Sequence, residues 1–298
     1  MLRPVVVGLD GSRESDAAAD WAAREAFRRG LPLRLVHAWE GLPDTETGAT
    51  LPELQVPQYW ARRVLRSAGD RLGERHPQLA IAAEQVRRPP GPALLAEAET
   101  AELLVIGSQG LGGVGGFLSG SVAMATVAHA ERPVVLVRAG DTAEDEHLPD
   151  PAGKSSVRTP LRDVAVAVDL GQPCDAVLEF AFHAAECRQA PLRAVHVWRV
   201  PRGLGIPDAE ERARLRADAE RQLAALLQPW REKFSGVYVR ESVIEGRPSH
   251  ELVKAAGGAG LLVVGRRRRR AAVGSHTGPV AHSMIHHVRC PLAVVPHD

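Results

Sequence analysis

Seven glycines fall within the fifteen residues 107–121, Gly107-Ser-Gln-Gly110-Leu-Gly-Gly113-Val-Gly-Gly-Phe-Leu-Ser-Gly120-Ser121. Glycines let a backbone turn sharply and let a ligand approach its N–H groups. A helix opening at Ser121 and Val122 would add free N–H donors and the positive end of its dipole. Together these make a site for phosphate built from backbone rather than side chains. The plainer alternative is a Gly-rich surface loop with no ligand. Two familiar phosphate motifs are excluded. No G-x-x-x-x-G-K-[ST] is present, and the glycines follow the fourth strand-like run rather than the first. The loop carries no Asp, Glu, Lys, Arg or His, so it offers binding and is poorly equipped for catalysis. Ser12 and Ser108 lack a neighbouring His–Asp arrangement for nucleophilic work. His37 reads as a packed or hydrogen-bonded residue at a strand end in preference to a catalytic base.

These residues need a frame that brings them together. Short β-branched runs at about 4–9, 33–39, 79–87, 103–107 and 133–138 alternate with helical patterns near 13–29, 58–75, 92–100 and 120–130. Runs such as Leu103–Gly107 and Pro133–Val137 are apolar throughout, as strands buried on both faces are. The alternation specifies a five-stranded parallel sheet with right-handed crossovers and helices on both faces. Ligands of such sheets bind at the carboxyl ends of the strands. Asp10, His37 and Gly107 all fall at such ends and can meet in one crevice.

The whole pattern occurs twice. Asp10 and Asp169, His37 and His196, and Trp39 and Trp198 are each 159 apart; Gly107 and Gly265, Gly120 and Gly278, and Pro133 and Pro291 are each 158 apart. An offset that drifts by one residue over a full domain marks a duplication. The chain divides into a first domain, 1–139, a polar Pro-, Asp- and Ser-bearing linker, 140–160, expected to be exposed, and a second domain, 161–298.

The chain has 298 residues, 45% apolar and 24% charged, with a net charge of +1. That suits two domains with real cores and gives no global field for nucleic acid or membrane. No run of 18 apolar residues occurs, so no membrane span is expected, and the first residues lack the pattern of a signal peptide. Three cysteines, Cys174, Cys187 and Cys290, form no C-x-x-C pair; a reducing cytoplasm is expected, with the thiols buried and inert.

The spacing Gly107-x2-Gly110-x9-Gly120-Ser121, the Asp10-Gly-Ser end of the first strand, the Leu-Val-His-Ala end of the second and the Pro-Val-Val-Leu-Val last strand resemble the universal stress protein family. The resemblance spans both halves. It implies tandem flavodoxin-like, Rossmann-like domains with strand order 3-2-1-4-5, dimerisation through the last strand, and ATP binding, with or without magnesium, in a stress response such as dormancy or hypoxia. It implies that Asp10 meets the adenosine moiety and that the backbone at Ala38 meets the adenine. Gly107, Gly110 and the loop would hold ribose and phosphates, with Gly120, Ser121 and Val122 donating to the phosphate chain. The expected binding set is Gly8, Leu9, Asp10, Gly11, Ser12, Ala38, Ile106, Gly107, Ser108, Gln109, Gly110, Gly113, Gly120, Ser121, Val122 and Ala123. Arg87-Arg88-Pro89-Pro90 departs from the usual Gly-x-Pro, so Arg88 is a candidate further phosphate contact. The two halves are expected to pair through Val134–Val137 and Leu292–Val295 as an internal pseudo-dimer, which hides two apolar sheet edges, and two chains to associate further. A weak ATPase or adenylate-handling enzyme and a nucleotide-free scaffold are the rival functions.

The second copy departs where the chemistry lies. Arg268 stands at the place of Gly110, Pro279 at that of Ser121, and Gly171-Gln172 replaces Gly11-Ser12 after the retained Asp169. Proline keeps a helix start but removes an N–H, so this copy is expected to be structural and to take no ATP. Arg266–Arg270 reads as a solvated rim, with an anion site of side chains as the alternative. His282 and His286 share a helix face at i, i+4; a surface cluster is preferred to a metal site. Residues 40–57 form a long segment after the second strand, with the loop 200–210 short in the second copy; a lid and a tolerated insertion are equally open.

Overall fold

The computed structural model describes residues 2–39, 52–109, 119–200, 208–268 and 277–298, with backbone alone for 52–58 and 119–121. The chain forms two compact units, 1–142 and 143–298. The first contains β1 (Val5–Gly8), α1 (Arg13–Arg29), β2 (Leu33–Trp39), α2 (Pro52–Arg75), β3 (Ile81–Arg87), α3 (Pro90–Thr100), β4 (Leu103–Ser108), α4 (Ser119–His129) and β5 (Val134–Arg138). The second contains β6 (Val164–Ala167), α5 (Asp175–Arg188), β7 (Leu192–Trp198), α6 (Ala209–Lys233), β8 (Val239–Glu245), α7 (Pro248–Ala256), β9 (Leu261–Arg267), α8 (Pro279–His287) and β10 (Leu292–His297).

Within each unit the five strands are parallel and run in the order third, second, first, fourth, fifth. This is the order that the family resemblance implies. It places the strand-order reversal between β1 and β4 in one unit and between β6 and β9 in the other. The central strands are buried completely, as at Val5, Val6 and Val7 and at Leu103, Leu104 and Val105.

Helix α1 sits close to the sheet because its inner face is small. Ala18, Ala19, Ala22, Ala23 and Ala26 are fully buried, and Trp21 fills the space they leave. The closest approach is at Gly107, on β4. A Cβ there would lie 2.6 Å from the Glu14 carbonyl carbon and 2.7 Å from the Ser15 nitrogen. Those are backbone atoms, so no rotamer change relieves the clash. Helix α2 packs through Ala61, Leu65, Leu72 and Ala68, and Arg71 binds it to α1 through Asp16 (3.0 Å) and Asp20.

Three elements differ from the sequence reading. Helix α2 opens at Pro52, not at 58, so the segment 52–57 is helix, and 40–51 lies outside the described residues. Proline lacks a backbone N–H, a donor that the first turn of a helix would leave unbonded anyway. The stretch 140–160, expected as an exposed linker, carries structure of its own in the second unit. Leu148 N–H donates to Pro160 O at 2.8 Å, Arg162 N–H to Glu146 O at 2.8 Å, and Glu146 is buried. Helix α5 begins at Asp175 with Cys174 as its cap, whereas α1 begins at Arg13 with Ser12 as its cap. The pairing of Gly171-Gln172 with Gly11-Ser12 slips by one residue: by the 159-residue offset Ser12 corresponds to Gly171, and the second copy has lost the first turn. Gly171 has no side chain to cap a helix, and Pro173 holds Gln172 away from helical geometry.

The helix ends carry one further difference. Gly30 ends α1 in the left-handed region (φ 64°), while its counterpart Gln189 ends α5 in the same region (φ 48°). A side chain there costs about 1 kcal/mol. Gln189→Gly is therefore expected to stabilise the second unit by up to about 1 kcal/mol, seen as a higher denaturant midpoint; an unchanged or lower midpoint refutes it. Gly107→Ala is expected to destabilise the first unit by about 2 kcal/mol through overpacking. Gly73→Ala, in α2 with open space around it, is the control and is expected to stabilise slightly. Equal tolerance of both alanines in chemical denaturation would remove the close-packing argument.

Candidate functional site

The carboxyl ends of β1, β2 and β4 and the start of α1 form one corner of the first unit. Ser12 caps α1: its Oγ accepts from the Ser15 N–H at 3.2 Å, and the Ser15 hydroxyl donates to Ser12 O at 2.9 Å. The Ser12 N–H (2.9 Å) and hydroxyl (2.5 Å) both donate to Asp10 Oδ1. Burial pushes the Asp10 carboxyl up, but the bonds from Ser12, with the Ser15 hydroxyl and its own backbone, outweigh this and hold it below the usual aspartate value. Asp10 is thus an oriented anion, and it is exposed.

His37 follows on β2, buried beside the Leu9 carbonyl. Burial pushes its pKa down, against the upward pulls of the Leu9 carbonyl and the Asp10 charge. Its counterpart His196 has Nδ1 2.9 Å from Val168 O. Only His196 bonds back to the end of its first strand; the buried Nδ1 of His37 makes no hydrogen bond among the described residues, so His37 is the packed strand-end residue.

The other expected site residues fall as follows. Leu9 is buried, and its N–H donates to Val36 O at 2.8 Å. A Cβ on Gly8 would meet Leu94 of α3 at 2.8 Å, so Gly8 serves helix packing. Gly11 and Ala38 lie at the ends of β1 and β2, and Ile106, Gly107, Ser108 and Gln109 at the end of β4. Ser108 is buried. Gly110 and Gly113 lie outside the described residues. Gly120 and Ser121 belong to the first turn of α4, which opens at Ser119, two residues before the expected start, and Val122 and Ala123 follow in it. Arg88 is exposed between β3 and α3.

The sequence reading missed Trp60. This half-exposed residue of α2 lies across Gly11, with ring atoms 3.5 and 3.6 Å from where a Cβ would stand. Nothing in its helical spacing tells a crevice-side tryptophan from any other on an amphipathic helix.

The second unit keeps the frame and changes the contents. Asp169 Oδ1 accepts only the Gly171 N–H, at 3.0 Å, among the bonds of the described residues. Gly265, the counterpart of Gly107, faces no helix backbone: a Cβ there would meet the His297 ring at 2.7 Å and Val177 at 3.2 Å. Of the arginine run, Arg266 is buried, Arg267 is exposed, and Arg268 is exposed and 3.4 Å from Asp298. Arg266 therefore departs from the solvated rim that was expected, because strand β9 extends to Arg267 and carries it inward. His282 and His286 stand edge to face, 4.7 Å apart. No group of three or more His, Cys, Asp and Glu able to hold a metal occurs among the described residues, nor does a helix long and apolar enough to cross a membrane.

Comparison with known proteins is consistent with this duplicated frame. The sequence pattern of the Universal stress protein family matches residues 1–138 and again 160–296. A universal stress protein of Mycolicibacterium smegmatis is 38% identical, covering 98% of this chain and 96% of its own length. The crystal structure of a universal stress protein from Archaeoglobus fulgidus shares the fold, with a TM-score of 0.67 at 16% identity and full coverage of both chains. A shorter universal stress protein, solved in complex with cAMP, is 28% identical over 47% of this chain and 100% of its own, with a TM-score of 0.37. With two matches to one family and the same five-strand order in both units, the chain belongs to the universal stress protein family as a tandem member.

Proposed function

We propose that the first unit binds ATP, with or without magnesium, and that the chain is a nucleotide-responsive regulatory module in a stress response such as dormancy or hypoxia. The second unit takes no ATP in this reading. The observation that carries it is Asp10, fixed by Ser12 at the strand-order reversal and exposed. A carboxylate held this way can accept from ribose or base donors without first being ordered. The start of α4 after the Gly-rich stretch supplies backbone donors for phosphate. Trp60 adds an aromatic face across Gly11 on the same side. In the second unit each of these has a replacement that weakens it: Gly171 for Ser12 beneath the carboxylate, Arg268 for Gly110, and Pro279 for Ser121.

In the same reading the two units pair through their last strands, β5 and β10. Each is the outer strand of its own sheet and apolar, Val134–Val137 and Leu292–Val295, so an uncovered edge would invite aggregation. The three cysteines, with no disulfide among the described residues, fit a reducing, cytoplasmic setting. Catalysis is left out, since residues 107–121 carry no ionisable side chain to act as base or metal ligand.

Calorimetric titration of ATP into nucleotide-free protein is expected to give one site per chain, with a change in Trp60 fluorescence that Trp60→Phe removes. Gly110→Arg, which copies the second unit's change, is expected to weaken binding at least about 100-fold, and Asp10→Asn about tenfold, the worth of a charge-assisted hydrogen bond. Two equivalent sites, or a Gly110→Arg protein that binds normally, would overturn the assignment. For the pairing, a specific protease site inserted after Thr142 allows the folded chain to be cut between its units. The halves are expected to co-elute on size exclusion after cleavage; separation into independent species would refute the pairing.

A further inference from the structure

The second unit is not filled where the first turn of its leading helix is missing. A cavity of about 430 Å³ opens there, at the carboxyl ends of β6, β7 and β9 and the start of α8. That is within the range of small-molecule sites. Its walls are mainly apolar: Val168, Val177, Val195, Leu252, Val264 and Val280 line it. The loss of the turn explains the space. In the first unit Glu14 and Ser15 come against Gly107, whereas the nearest atoms above Gly265 are those of the His297 ring and Val177.

A few polar groups converge on these walls. Arg267 lines the cavity and has no hydrogen-bond or ion-pair partner among the described residues; Gly265, two residues before it on β9, turns the same way. The neighbouring charges are committed elsewhere, Arg268 to Asp298 at 3.4 Å and Arg266 to the buried side. Helix α8 begins at Pro279 with no side-chain cap, and its first backbone bond is His282 N–H to Gly278 O. The Val280 and Ala281 N–H groups thus have no acceptor within the helix. His196 also lines the cavity, with Nδ1 2.9 Å from the Val168 carbonyl. Asp169 lines the opposite side.

We infer that the second unit binds a small amphipathic monoanion, a fatty or aromatic acid, in this cavity. One guanidinium and two backbone N–H groups match one acidic group, and apolar walls match a hydrocarbon body. Asp169 disfavours a second negative charge, and Pro279 removes the N–H that a longer phosphate chain would use. The site is independent of ATP in the first unit.

The probe is 8-anilinonaphthalene-1-sulfonate, an aromatic body with a single anionic group, titrated by fluorescence into the full chain. One molecule per chain is expected to bind in the second unit, displaced by decanoate at least tenfold more effectively than by decanol. Val280→Trp, which fills the cavity mouth, is expected to abolish this binding. Arg267→Glu, at an exposed position, is expected to weaken decanoate at least tenfold while leaving decanol unchanged. Circular dichroism and the denaturant midpoint establish that each variant is folded; should Val280→Trp not fold, the Arg267→Glu comparison decides. The proposal is overturned by absence of probe binding, by binding that persists in folded Val280→Trp, by equal displacement by decanoate and decanol in the wild type, or by AMP displacing the probe better than decanoate does.

Discussion

The backbone-to-backbone approach of β4 and α1 at Gly107 governs the first unit. With no room for a Cβ between strand and helix, the first turn of α1 lies directly beside the carboxyl end of β4. The turn that connects β1 to α1 is then short enough for Ser12 to cap the helix and orient Asp10 at once. The alanine face of α1 and the buried Trp21 allow this approach, and the ion pairs of Arg71 hold the next helix against it. The crevice chemistry is a by-product of tight packing: the same atoms that close the core aim the carboxylate.

Much of this could be read from the residues. The apolar runs and their alternation with helices specify the sheet, and the repeated spacing specifies its duplication, because buried parallel strands and a copied domain both leave periodic traces. Asp10, His37 and Gly107 meet because strand ends are set by topology. What could not be read depended on local competition. The start of α2 at Pro52 lies within a polar, proline-bearing stretch whose helical period is weak. The structure of 143–160 rests on backbone bonds and turn side chains such as Thr159 and Asp150, which leave no hydrophobic pattern. Trp60 is set against Gly11 by the packing of α2, not by any motif.

The second unit shows how little is needed to change a site while keeping a fold. Replacing Ser12 by Gly171 and adding Pro173 removes one helical turn, yet the strands β6, β7 and β9 remain in register. The fold tolerates this because the core is held by the sheet and by residues later in α5, such as Leu178 and Phe182, both fully buried. Loss of the turn exposes apolar wall where the first unit has helix backbone.

The duplication has a consequence for how such a molecule can change. In an assembly of identical subunits every substitution is written into both sites, so a change that ruins one ruins the other. Here Arg268 and Pro279 stand in one copy while Gly110 and Ser121 stand in the other. Covalent tandem linkage makes the two crevices separately heritable, so two copies of one frame can come to hold different contents.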